Sequence, residues 1–388
     1  MHDQLNSIHQ QLFGSTGEFF KFFAPGRVNL IGEHTDYNGG HVFPCALDKG
    51  TYAVVSTRHD DKIKLYSTNF SKVGIIELEL NQSFTHEAQH DWANYVKGMY
   101  KIFLDNGYQI PHGLNITLGG NIPNGAGLSS SASLEILIAT ILNHIYKFNI
   151  DPVTLVKWGQ NVENNFIGVN SGIMDQFASM MSIENHAMLL NCSTLDCTYA
   201  PLNLNEYIII IANTNKRRGL ADSKYNERVL ECQTALKQLQ QKLDIKTLGD
   251  IDNETFLANE YLITDPIHKS RALHAVFENQ RTKAAVIALK NNDLITFGLL
   301  MNESHISLRD NYAVTGIELD TLVEAAWNEP GTLGSRMTGA GFGGCTVNIV
   351  HNQMADSFIH NVGKIYTQKT GLCADFYIAN VGKGAHAL

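Results

Sequence analysis

PNGAGLSSSAS, residues 123–133, follows a stretch that reads as a strand (HGLNITLG, 112–119) and opens one that reads as an apolar helix, about Ser130 to Lys147. Gly125 and Gly127 free the backbone, so its N–H groups can converge on an anion. The helix start behind them offers unpaired N–H groups and the positive end of its dipole. Ser129, Ser130, Ser131 and Ser133 add hydroxyls. A helix N-cap would need only one serine, so the stretch predicts a phosphate-binding loop. No Gly-x-x-x-x-Gly-Lys-Ser/Thr occurs in the chain, so this is not a P-loop.

Two other motifs are weaker. GAGFGG (339–344) matches a dinucleotide fingerprint by letters, but it precedes a strand, CTVNIV, where that fingerprint should open a helix. With the preceding RMT (336–338) it is expected as a loop, a cover or phosphate wall. HEAQH (86–90) matches the zinc-protease spacing but lacks the apolar stripe of an amphipathic helix, so it reads as a polar loop.

The chain has 388 residues, which predicts two domains, divided near residue 203 into 1–202 and 203–388. Composition is that of a soluble globular protein, 44% apolar and 17% charged, and the net charge of −9 argues against coating nucleic acid. The polar start, MHDQLNSIHQQLFG, is no signal peptide, and no apolar run reaches membrane-spanning length, so no membrane association and a cytoplasmic location are expected. The six cysteines lack paired spacing and are expected as free, buried thiols. Strands are expected at 19–31, 51–58, 63–68, 73–80, 186–192, 207–214 and 374–380. Helices are expected at 92–104, 153–166, 172–182, 222–242, 270–290, 293–307, 315–328 and 355–370. This is a mixed α+β pattern without regular βαβ repetition. Four consecutive isoleucines in YIIIIANT (207–214) predict a strand buried on both faces.

GRVNLIGEHTDYNGG (26–40) places Arg27, Glu33, His34 and Asp36 at the end of an apolar strand, inside a glycine-flanked frame. With PNGAGLSSSAS and RMTGAGFGGC (336–345) it makes three ordered motifs. Together they resemble the GHMP small-molecule kinases over the whole chain. The first is similar to the galactokinase signature, as are WANYVKG (92–98), SGIMDQFAS (171–179) and NTNKRRGLADSKYNER (213–228).

The resemblance implies a two-domain α+β GHMP-kinase fold with the active site between the domains. It implies ATP-dependent, Mg²⁺-requiring phosphorylation of galactose at the anomeric hydroxyl, with galactose and ATP as ligands and no obligate protein partner. Asp175 is implied as the catalytic acceptor of the hydroxyl proton and Arg27 as the charge beside it. Because an ion-paired carboxylate is a weak base, orientation and proton abstraction both stay open for Asp175. Glu33, His34, Thr35, Asp36, Gly172 and Tyr225 are implied as the sugar-binding set. Asn124, Gly125, Ala126, Gly127, Leu128, Ser129 and Ser130 should wrap the phosphates. Ser67 and Trp92 should border the adenine, although Trp92 also suits plain core packing. Ser130 and Glu163 are implied as the Mg²⁺ pair. Alternatives are a kinase for N-acetylgalactosamine or another sugar, and a non-catalytic galactose sensor; the complete GLSSSAS run favours an enzyme.

Overall fold

The computed structural model describes residues 2–123, 127–216 and 221–388. Asn124, Gly125 and Ala126 of the expected phosphate loop lie outside the described residues, as do residues 217–220.

Strand Phe19–Asn29 lies in a six-stranded sheet, next to His386–Ala387 on one side and Pro44–Thr57 on the other; Leu114–Gly120, Lys62–Ser67 and Ile76–Glu79 follow. Pairing is antiparallel except between Lys62–Ser67 and Leu114–Gly120. Helices Ala93–Asp105 and Ser130–Ile145 bury Val96, Met99, Ile136, Ile138 and Leu142 in the same cluster as Phe22, Val55 and Ile116 of this sheet.

A second sheet is four-stranded and antiparallel, in the order Thr332–Thr338, Cys345–His351, Tyr207–Asn213, Asp375–Ala379. Its isoleucines divide by face: Ile209 and Ile211 enter one apolar cluster, Ile210 and Ala212 another. Period-2 alternation with apolar residues at every position therefore buries both sides, as the run predicts. His41–Val42, His186–Asn191 and Cys197–Pro201 form a small third sheet.

Several expectations need correction. The expected loop RMTGAGFGG starts inside a strand, because Arg336, Met337 and Thr338 pair with Val347, Thr346 and Cys345. The expected 153–166 helix is α-helical only over Pro152–Asn161 and continues as a π-helical turn over Val162–Ile167. The polar N-terminus is a helix, His2–Phe13, held to the sheet by buried His9 between the hydroxyls of Ser56 and Thr117. Of the six free cysteines, Cys45, Cys232 and Cys345 are buried but Cys373 is exposed. HEAQH forms no regular helix; its Ala88–His90 part is a short 3₁₀ turn, and Glu87 is ion-paired with buried Lys97 at 2.5 Å. No described helix is long and apolar enough to cross a membrane.

Candidate active site

The strand carrying Arg27 is irregular where it matters. Its register with Pro44–Thr57 shifts between Pro25 and Arg27. Gly26 makes this possible: a Cβ there would stand 2.6 Å from the Leu128 carbonyl, which accepts a hydrogen bond from the Arg27 N–H at 3.3 Å. The strand is thus tied through its backbone to the end of the expected phosphate loop.

Arg27 is 4% exposed. Its Nε and Nη2 donate to Asp175 at 2.8 and 2.9 Å, and its Nη1 donates to the Gly127 carbonyl at 2.9 Å. Bidentate pairing of this kind fixes both groups in one plane. Asp175 stands in the first turn of Met174–Met181 and also accepts a 2.6 Å bond from the Ser129 hydroxyl. Ser129 itself sits in the left-handed region at φ 61° and makes no side-chain cap to its helix. The expected competitor, a serine N-cap, is therefore absent: the hydroxyl serves Asp175, and the helix start keeps uncapped N–H groups for an anion.

After Asn29 the chain makes a buried turn. Its backbone groups are satisfied from the second half of the chain, as buried polar backbone requires. Glu278 accepts from Gly32 N–H at 3.0 Å, His274 Nε2 lies 3.1 Å from the Glu33 carbonyl, and Asn279 accepts from His41 N–H at 2.8 Å. Glu33 is 1% exposed, and its Oε1 accepts from Gly339 N–H at 2.7 Å and from the Thr338 hydroxyl at 3.0 Å, with Arg336 at 3.5 Å. It lines the cleft, yet one oxygen is committed to the 336–339 segment, a duty the sequence did not suggest. Thr35 departs further from expectation. It is fully buried, and its hydroxyl sits 2.8 and 2.7 Å from the Gly32 and His41 carbonyls, so it shapes the turn from behind.

His34 is buried at φ 61°, with Nδ1 2.8 Å from the Tyr37 hydroxyl. Among the described residues its Nε2 has no well-formed hydrogen bond. Burial, reinforced by His274, holds its pKa down to about 3, so the ring is neutral near pH 7. Asp36 is half-buried, and burial, then the charge of Asp175, pushes its carboxyl up to about 7. Gly172 leaves room for it: a Cβ on Gly172 would fall 1.8 Å from Asp36 Oδ2. The Tyr225 hydroxyl meets the Gly172 backbone, and burial raises its pKa well above the ordinary tyrosine value.

These groups line a cleft of about 320 Å³ that includes Arg27, Glu33, His34, Asp36, Gly127, Ser129, Ser130, Glu163, Gly172, Asp175 and Tyr225. Ser67 and Trp92 line a second cavity of about 210 Å³, together with Phe70 and Leu118. Trp92 is 6% exposed and stacks on Phe70 at 6.3 Å, so it is both core and wall. The two cavities share Tyr95, Ser130 and Ser131 at the start of the Ser130–Ile145 helix. Leu128 is buried and contributes its carbonyl, not its side chain, to the site. Glu163 is 8% exposed, in the π-helical turn, and so is not on a solvated helix face; the Ser131 hydroxyl lies 3.5 Å from its Oε2. Burial, reinforced by the charge of Glu163, pushes the carboxyl of neighbouring Glu135 well above the usual range. Sequence reading missed Tyr95, Ser171 and Ala340 as cleft residues. Each lies within a quoted motif, but nothing in a motif says which of its members faces inward.

Three family models match in order: the galactokinase galactose-binding signature over residues 7–57, the GHMP kinases N terminal domain over 94–182, and the GHMP kinases C terminal over 285–367. Galactokinase of Fusobacterium nucleatum is 57% identical across 99% of both chains. That of Bacillus subtilis is 53% identical across 100% of this chain and 99% of its own. The crystal structure of Lactococcus lactis galactokinase complexed with galactose superposes with a TM-score of 0.97 at 47% identity, covering 100% of each chain. Methanococcus jannaschii mevalonate kinase shares the fold alone, with a TM-score of 0.65 at 18% identity over 95% of this chain and 99% of that one. With the ordered motifs, the two-domain GHMP fold and full-length relatives in agreement, the chain belongs to the galactokinase family of the GHMP kinases.

Proposed function

We propose that the chain transfers the terminal phosphoryl group of ATP to the anomeric hydroxyl of α-D-galactose, giving α-D-galactose 1-phosphate, the entry step of galactose catabolism. The observation that carries this is the position of Asp175. It is held by Arg27 and Ser129 where the carboxylate and imidazole end of the cleft meets the uncapped helix start. Galactose would occupy the end formed by Glu33, His34, Asp36, Gly172 and Tyr225. The triphosphate would follow Gly127, Ser129 and Ser130, with the base near Ser67 and Trp92.

In that pose the sugar oxygen forms a bond to the γ-phosphorus while the bridge to the β-phosphate breaks. Asp175 orients the hydroxyl and takes its proton, and Arg27 balances charge beside it. A Mg²⁺ ion suits this cleft, because it takes one or two protein oxygens and completes its shell with phosphates and water. Glu163 and the hydroxyl of Ser130 would hold it; the nearby Ser131 hydroxyl offers a further oxygen of the same kind. When bound, the ion neutralises charge on the phosphates. A division of the chain into 1–202 and 203–388 and a cytoplasmic location belong to the same reading.

The test is ATP consumption by purified protein against a panel of sugars. Preference for galactose supports the reading. Preference for N-acetylgalactosamine would make it a different sugar kinase, and galactose binding without ADP release would make it a sensor.

A further inference from the structure

Gln176 follows Asp175 directly and is fully buried. Its Nε2 donates to Glu135 Oε2 at 2.9 Å and to Glu163 Oε2 at 3.0 Å. An amide nitrogen carries two hydrogens, and both are spent on carboxylates. Turning the amide over would set its oxygen against the Glu163 carboxylate oxygen, so the contact to Glu163 selects this orientation. Glu135 is fully buried on the Ser130–Ile145 helix, the element whose start faces the cleft. Glu163 belongs to a π-helical turn, a local widening that recurs at functional sites. Gln176 therefore bridges two elements that border the phosphate region.

The chemistry of the bridge is selective. A lysine or arginine here would hold Glu163 equally well but would cancel its charge and weaken any cation bound beyond it. A neutral amide fixes one carboxylate oxygen and leaves the negative charge in place. Outer partners of this kind commonly set the affinity of metal-holding carboxylates. The adjacency to Asp175 adds a second consequence. One turn of the Met174–Met181 helix sends Asp175 to Arg27 and Ser129, and Gln176 to Glu163 and Glu135. The proton acceptor and the cation-facing carboxylate are thereby registered to the same short helix.

We propose that Gln176 is a positioning residue for phosphoryl transfer: anchored by Glu135, its amide holds the Glu163 carboxylate at the edge of the cleft in the geometry a nucleotide-bound divalent cation requires. This rests on the reading of Glu163 as a cation-holding residue.

The experiment measures Mn²⁺ binding to the full chain with ADP by electron paramagnetic resonance, alongside kcat and KM for galactose. The variants are Glu163→Gln, Gln176→Met and Gln176→Asn, the last keeping an amide too short to reach both carboxylates. Glu163→Gln and Gln176→Met should each raise the Mn²⁺ dissociation constant about tenfold to a hundredfold. KM for galactose should stay near its original value, because neither residue belongs to the sugar end. Gln176→Asn should show the same direction, and it decides the matter if the methionine variant does not fold. An unchanged Mn²⁺ constant in the Gln176 variants, with a raised one in Glu163→Gln, overturns the role of Gln176 alone. An unchanged constant in Glu163→Gln overturns the metal reading and this proposal with it.

Discussion

Replacing Asp36 by asparagine exchanges one atom and removes one charge from the half-buried mouth of the sugar end. In the folded chain burial, then Asp175, pushes this carboxyl up to about 7; in the unfolded chain it titrates near about 4. Between those values the folded state keeps a proton that the unfolded state has released. Stability therefore falls as pH rises through this window. The full difference would be about 4 kcal/mol, and solvent at the cleft mouth reduces this to about 1–3 kcal/mol. Asparagine carries no such cost. Thermal unfolding of both proteins without ligand, at steps from pH 4.5 to 8, should give a gap near zero at the acid end that opens in favour of Asp36→Asn with rising pH. The sugar should respond in the opposite sense. A carboxylate accepts a hydroxyl hydrogen best when ionised, so galactose binding near pH 6 should release a proton. Titration calorimetry in buffers of different ionisation heat measures that release, and the asparagine variant should lack it. A stability gap that is the same at every pH, together with buffer-independent binding heat, would refute the reasoning.

Three further outcomes are expected. Asp175→Asn should lower kcat by about 10²–10⁴ while galactose still binds, and near-normal kcat would remove Asp175 from the chemistry. Arg27→Ala should depress kcat for every sugar that still binds and also lower the melting temperature, since the ion pair is buried on the arginine side; a change in KM alone would contradict this. Gly172→Ala places a Cβ 1.8 Å from Asp36 Oδ2, so Asp36 must move and KM for galactose should rise about tenfold or more; an unaltered KM would separate Asp36 from the sugar.

Local signals were legible where one cause dominates. The isoleucine run named a strand buried on both faces, and the serines after Gly127 named a helix start that borders a cleft. Arg27, His34 and Asp36 were legible as cleft residues because ionisable groups in an apolar, glycine-flanked frame need a reason to be there, whereas Asp175 was marked by the resemblance alone. What stayed hidden depends on distant partners. Thr35 is spent on the carbonyls of its own turn. Glu33 is shared with Gly339, and no local pattern announces a partner 306 residues away. Residues 336–338 read as part of the glycine-rich loop because nothing local marks them as the end of a strand whose stability comes from pairing with 345–351. The inward placement of Glu163 had no periodic signal, because a π-helical turn departs from the 3.6-residue pattern.

The turn after Asn29 takes its hydrogen bonds from Glu278, His274 and Asn279, and Glu33 closes on Gly339. The last pairing of the first sheet joins Phe22 and Phe23 to Ala387 and His386. On a ribosome, the residues proposed to read the sugar are among the earliest made, yet their partners emerge only after most of the chain has been synthesised. Until then the buried turn has no shield from water and the first strand has an open edge, the kind of surface on which nascent chains associate wrongly. Chaperone demand and slow maturation should therefore concentrate on this strand, and translation arrested before residue 339 would leave a nascent chain whose first apolar cluster, around Phe22, Val55 and Ile116, can assemble but whose turn after Asn29 cannot close.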